Sequence, residues 1–364
     1  MEAAEIYVHL PYALYHMARP PLHLVTYPKI TPGNDTGTRM VTVKIPYAHL
    51  NYSQTIEIED AVYTGAKASG KSASVPAGIG DAWLEGYYKA FIFDKNQDAF
   101  YPKLLSPFRK IRRELNLDSD RYLELLTAYV QGLPYDKEKL ASIAIAPRFP
   151  VETVVDGTGI CSDKSLLLAG LLSHEGYACS LLHFGKENHL AVGIPAPAGF
   201  DFKKTGCAVI ETTAVSYIGS DPCTETQGSL VTRPKVIPIG SGTKTYSAIR
   251  DTAKILGVIR ELEEKLNPEG TMVSELFRLK ESVENQTEIL RGLKETIEHD
   301  GTLTDAEEQE LRETAGVKLQ RLQKTLHQYN ALAKEFARLQ ELAAFIRANR
   351  LDRQAVVKRL RYAD

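Results

Sequence analysis

In the last third of the chain Leu276, Leu279, Val283, Gln286, Leu290, Leu293 and Ile297 recur at steps of three and four. A second row runs Ala315, Leu319, Leu322, Leu326, Tyr329, Ala333 and Phe336. Such spacing fits an α-helix buried along one narrow seam, and little else. Between the rows, "HDGTLTDAEEQ" gives a glycine stop and then a capping box, Thr304 with Glu307. Residues 246–364 are therefore expected to form an α-helical arm, a coiled-coil hairpin with arms of very roughly 45–70 Å at 1.5 Å per residue. Such a hairpin buries both seams without a partner. Gln286 would set its register, and self-association would fall to Leu332, Leu339, Leu342 and Phe345.

The rest of the chain has ordinary composition, 43% hydrophobic and 25% charged, with net charge −2. Bulk charge gives no reason to expect a nucleic-acid or membrane partner. The basic stretch "RANRLDRQAVVKRLRY" is read as a solvated helix face. "MEAAEIYVHL" lacks the basic and apolar regions of a secretory signal, and "LLLAGLL" falls far short of the ~20 residues that span a bilayer. A cytoplasmic location is expected. Cys161, Cys179, Cys207 and Cys223 form no C-x-x-C pair, and no H-E-x-x-H occurs, so free thiols and no metal or cofactor are expected.

Residues 1–100 read as a β-rich region, with strands in "TRMVTVKIPY" and "SQTIEIEDAVY", followed by a flexible loop. In that loop Gly65, Gly70, Lys71 and Ser72 meet the spacing of a phosphate-binding loop. The helix such a loop must open is missing, because "ASVPAGIGD" places a proline and two glycines there. Residues 101–245 carry helices in "SPFRKIRREL" and "DSDRYLELLTAYVQGL", then the strand-like runs "ACSLLHF", "HLAVGI" and "CAVIETT". Helices followed by consecutive strands indicate an α+β layer, helices packed on an antiparallel sheet.

One cysteine stands apart. In "VVDGTGICSDKSLLLAGLL" Gly157 and Gly159 make a turn and a helix starts at once, so Cys161 sits where free amides and the helix dipole favour a thiolate. Such a nucleophile needs a base. His189 opens the apolar strand "HLAVGI", whereas His183 lies inside a strand and His174 on the polar side of the Cys161 helix. Glu211, closing "AVIE" on the next strand, would orient the imidazole, because a buried acid requires a partner. Asp163 would cap or brace the helix start, with Asn188 beside His189.

Cysteine at a helix start, then histidine, then an acid on successive strands resembles the transglutaminase-like superfamily of cysteine enzymes. The resemblance rests on "PRFPVETVVDGTGICSDKSLLLAGLLSHEGY", "NHLAVGI", "AVIETTAVSYIG" and "AYVQGLPYD", and covers roughly residues 105–220. It implies a papain-like core whose thiolate forms an acyl-enzyme with an amide of a peptide or protein substrate. By position, Cys161 is the nucleophile, His189 the base and acid, and Glu211 the orienting carboxylate, where many members have aspartate. Gln131 would be an oxyanion donor together with the Cys161 amide. Hydrolysis is the leading expectation; the alternatives are a protein-glutamine transamidase and a non-catalytic scaffold that binds partners through the domain and the arm.

Overall fold

The computed structural model describes residues 25–142, 145–224 and 228–362. The first 24 residues, whose sequence bears on targeting, and the side chain of Cys223 lie outside the described part. The chain is mixed α+β and divides into two compact units, residues 1–253 with 350–353, and residues 254–349 with 354–364.

The first unit begins with a hairpin, β1 (Thr38–Tyr47) and β2 (Leu50–Glu59), paired in register from Thr38↔Glu59 to Tyr47↔Leu50. Its two-residue turn holds Ala48 and His49 at φ 45° and 66°. That left-handed pair matches the strand twist, but is normally signalled by Asn-Gly. Val43, Ile45, Tyr47, Ile56 and Ile58 face inward and share one core with the later helices and strands. Residues 25–100 are thus part of the same body as the central region.

After β2 the chain turns directly into α1 (Asp60–Ala68), where the end of a strand and the start of a loop were expected. Gly65 explains the position: a Cβ there would stand 2.2 Å from the Thr31 carbonyl oxygen, so only glycine admits the neighbouring backbone. Lys71 is committed to Glu152 (2.6 Å) and to the Ala66 carbonyl, not to an open cradle. Next come α2 (Leu84–Ile92), α3 (Phe100–Glu114), α4 (Ser119–Gly132), capped by Asp118 at the Arg121 amide (2.8 Å), and the short α5 (Lys137–Leu140).

Helix α6 (Pro150–Asp156) ends at Gly157 with φ 67°, and α7 (Cys161–His174) follows. Helix α7 is the axis of the unit, buried from Cys161 through Leu172 except at Ser162. The sheet covers one side, and α2, α3, α4 and α6 the others. Its strands are β3 (Ala178–Phe184), β4 (His189–Pro195), β5 (Cys207–Ile210) and, after a small hairpin of β6 (Cys223–Thr224) and β7 (Gly228–Ser229), β8 (Lys235–Ser241). The order is β5-β4-β3-β8, antiparallel throughout. Strand β8 occupies "KVIPIGS", a stretch not among the strands expected from the sequence. Pro238 is tolerated because β8 is an edge strand. The boundary expected at residue 246 also moves, since Tyr246, Ile249 and Thr252 are buried in this unit.

The second unit holds most of α8 (Ile249–Lys265), then α9 (Thr271–His299), α10 (Asp305–Ala348) and most of α11 (Arg353–Arg361). Helices α9 and α10 pack as a hairpin. The capping box forms: the Thr304 amide donates to Glu307 Oε2 (2.8 Å), and the Glu307 amide to Thr304 Oγ1 (3.3 Å). The α9 seam is the expected one. The α10 seam is offset, because Leu319 and Leu326 are exposed while Thr325 is buried. A strict three-four alternation runs Ala315, Lys318, Leu322, Thr325, Tyr329, Leu332, Phe336 and Leu339, and two polar residues keep the phase where leucines drift out of it. Leu339 is likewise buried, and Leu332, Leu342 and Phe345 are half-buried; the large apolar side chains exposed on the hairpin are Phe277, Ile289, Val317, Leu319 and Leu326.

Gln286 meets Thr325 across the hairpin, its Nε2 donating to Oγ1 (3.2 Å), while its buried Oε1 has no partner. Gln286→Leu should therefore raise the melting temperature of the arm, by an amount equivalent to about 1 kcal/mol, since the orphaned acceptor is removed and Thr325 keeps its bond to the Arg321 carbonyl. Calorimetry of both chains checks this; an unchanged or lower midpoint would show that Gln286 contributes more than register.

Candidate functional site

Three elements end at one place. Cys161 is the first residue of α7, after an extended Ile160 (φ −86°, ψ 178°), and is 9% exposed. His189 opens β4 and Glu211 directly follows β5. Because Val192 pairs with Ile210, the antiparallel register carries Glu211 and the residues after it alongside the start of β4. The structure brings these three residues together.

His189 Nε2 lies 2.9 Å from Glu211 Oε2, and both side chains are almost wholly buried. With Nε2 committed there, Nδ1 is the nitrogen left for the Cys161 thiol, which is within hydrogen-bonding reach of the ring. Glu211 Oε1 accepts from the Thr212 amide (2.9 Å), the Thr213 amide (2.9 Å) and Thr213 Oγ1 (2.7 Å). The carboxylate is thus fixed in rotation.

Burial alone would discharge His189. The bonds to Cys161 and Glu211 and their negative charges outweigh it and push the imidazole up to about 10. Burial likewise opposes the Glu211 charge, yet the His189 contact and the Thr213 donors hold its carboxyl below the ordinary 4.5. The raised histidine contributes its full stability below 6.5 and loses it as pH climbs toward 10; the depressed acid contributes above 4.5 and loses it as pH falls. The melting-temperature gap between the parent and His189→Gln should therefore be widest between those two values and close toward pH 10. A gap widening with alkalinity would contradict a charged His189.

Behind the triad, one hydroxyl pair ties its three carriers. Ser165, one turn past Cys161, donates to the Leu190 carbonyl (2.9 Å) and shares a hydrogen bond with Thr212 Oγ1 (3.1 Å). Asp163 is wholly buried and braces the start of α7. It accepts from the Ile160 amide (3.1 Å), the Arg148 amide (2.7 Å) and Lys139 Nζ (2.7 Å). Tyr88, from α2, is close enough for the Cys161 charge to add to the upward push of burial on its phenol.

Gln131 is placed otherwise than as an oxyanion donor. Its Nε2 donates to the backbone carbonyls of Glu211 (2.7 Å) and Ser216 (3.1 Å), which occupies both amide protons. It holds the segment carrying the acid. A cavity of about 30 Å³ beyond it, bordered by Thr127, Ser216 and Tyr217, is sized for one or two waters and not for a substrate. Asn188 is exposed in the turn before β4 at φ 48°, a conformation asparagine tolerates, and does not join the triad. His183 is half-buried near Tyr88, and His174 stacks on Tyr101 at 3.8 Å.

Sequence reasoning missed Lys164, Ser165, Thr212, Lys139 and Arg148. The pair of threonines following Glu211 was the one readable signal, since small hydroxyl residues after a carboxylate favour local bonding to it. Among the described residues no cluster suited to a metal ion occurs, and no helix is long and apolar enough to cross a membrane. No family model, no curated protein and no solved structure matches the chain.

Proposed function

We propose that this chain is a cysteine-dependent acyl-transfer enzyme of transglutaminase-like type that hydrolyses an amide bond in a peptide or protein. The observation that carries the reading is His189 held between the Cys161 thiol and the Glu211 carboxylate, at the start of a helix. In the ion-paired form the thiolate attacks the amide carbonyl carbon, and the oxyanion meets the backbone amides at the start of α7. His189 gives its proton to the departing amine as the C–N bond breaks, leaving an acyl-enzyme. Neutral His189 then takes a proton from water, which attacks the thioester; the acid leaves and the thiolate is restored.

The test is intact-mass measurement after exposure to peptidyl electrophiles and to cell-extract peptides, with Cys161→Ala in parallel. A covalent adduct on Cys161, turning over in water, supports the hydrolase. Adducts released only by an added primary amine would point to a transamidase. A Cys161 no more reactive than a free thiol of about 8.5 would leave the scaffold reading.

A further inference from the structure

We propose that the buried hydroxyl pair of Ser165 and Thr212 is a positioning pair that sets the distance between the Cys161 thiol and the His189 ring. The inference rests on the catalytic reading above. Ser165 lies one turn past Cys161 on α7, Leu190 directly follows His189 on β4, and Thr212 directly follows Glu211. Ser165 and Thr212 are wholly buried. A backbone carbonyl only accepts, so the single Ser165 hydroxyl proton goes to Leu190 (2.9 Å). The 3.1 Å bond between the two hydroxyls must then run from Thr212 to Ser165. This one-way chain, Thr212 to Ser165 to Leu190, links the carriers of acid, thiol and base.

The sheet explains why a side chain is used here. Strands β4 and β5 pair as far as Val192 and Ile210, and continuing that register would set Leu190 opposite Thr212. The ladder stops short of that point, and Ser165 from α7 bonds to both residues instead. Alanine would fill the space but fix neither length nor direction. The Glu211 carboxylate takes the Thr212 amide and leaves the Thr212 hydroxyl to Ser165. Thiol and imidazole form an ion pair only at hydrogen-bonding separation, and a misplacement of about 1 Å can cost on the order of 10²-fold. The titratable groups around the row are Tyr88 on α2, His183 on β3, Lys164 on α7, and Asp163 with Lys139 and Arg148. None of them bonds to either hydroxyl, so the pair can be altered without removing a charge.

Ser165→Ala removes the middle of the chain, Thr212→Val removes its first donor at nearly constant volume, and Thr212→Ser keeps the hydroxyl. The readout, on the full chain, is the rate of Cys161 alkylation by iodoacetamide from pH 5 to 9, followed on the Cys161 peptide by mass, with melting temperatures taken in parallel. We expect Ser165→Ala and Thr212→Val to react about tenfold more slowly than the parent at pH 6 and within about twofold of it at pH 9, where a free thiol also ionises. Thr212→Ser should keep the parent's profile. An unchanged profile in either folded variant, Ser165→Ala or Thr212→Val, with a parent reactive at pH 6, overturns the positioning role and leaves the catalytic reading intact. So does a Thr212→Ser as slow as Thr212→Val, since volume and not the hydroxyl would then matter. A parent that is itself sluggish at pH 6 overturns both readings. If Ser165→Ala and Thr212→Val both fail to fold, the pair is a structural tie and the positioning role is overturned.

Discussion

Cys161→Ala should abolish amide turnover, a loss of three orders of magnitude or more, while shifting the melting temperature little. A thiol replaced by a methyl group removes the bond-forming atom but leaves the helix start and its Asp163 brace in place. His189→Ala should lose as much activity and some stability besides, because Glu211 Oε2 forfeits its donor while Oε1 keeps its three. The informative variant is Glu211→Gln. An amide in that position must keep its oxygen toward the Thr212 and Thr213 donors, which turns its NH2 toward His189 Nε2. Two donors cannot face each other, so the ring must carry its proton on Nδ1, facing the thiol, where it cannot act as base. The expected loss is about 10⁴-fold, as for tautomer-trapping variants of other triads. Steady-state turnover on any substrate found by trapping measures it; a drop below tenfold would remove Glu211 from the triad.

Asp163→Ala should be the most damaging substitution outside the triad. It strands the Lys139 ammonium, which is 11% exposed, and leaves the Ile160 amide at the start of α7 and the Arg148 amide just before α6 without their acceptor. Removing one partner of a buried pair costs about 3–5 kcal/mol. Urea unfolding followed by circular dichroism should show that loss, and Cys161 should also lose its selectivity among electrophiles, since the turn holding it is no longer pinned. Asp163→Asn keeps acceptor oxygen but not charge and should fall between. A near-neutral Asp163→Ala would show that Arg148 and Lys139 find Asp136 and Asp156 sufficient.

The meeting of Cys161, His189 and Glu211 was legible because each marks the end of an apolar element, and element ends cluster when strands run antiparallel. The role of Gln131 was not, since its targets are backbone carbonyls of residues 211 and 216, which no local pattern announces. Strand β8 hid behind Pro238, a residue that argues against a strand everywhere except at an edge. The β1–β2 turn hid because Ala48 and His49 adopt a conformation usually left to glycine. Helix α1 was masked by "AVYT", whose β-forming residues follow a strand without a break. In α10 the choice of leucine over strict periodicity shifted the seam, where Lys318 and Thr325 in fact hold the phase.

The chain's return to the first unit at residues 350–353 changes how its C-terminal third can be dissected. Arg353 is nearly buried between Glu124 (2.6 Å) and Asp251 (2.5 Å), and Tyr246 donates to the same Glu124 carboxylate (2.6 Å). A premature stop anywhere before residue 353 therefore removes a clasp of the first unit along with the arm. Nested C-terminal truncations would report misfolding where arm function was meant to be read. The hairpin is open to surgery from its other end, at the turn following His299. Excising one heptad from α9 together with its facing heptad from α10 shortens the arm by about 10 Å and leaves its seam in phase. A ladder of such internal deletions, each keeping Arg353, would separate reach from stability.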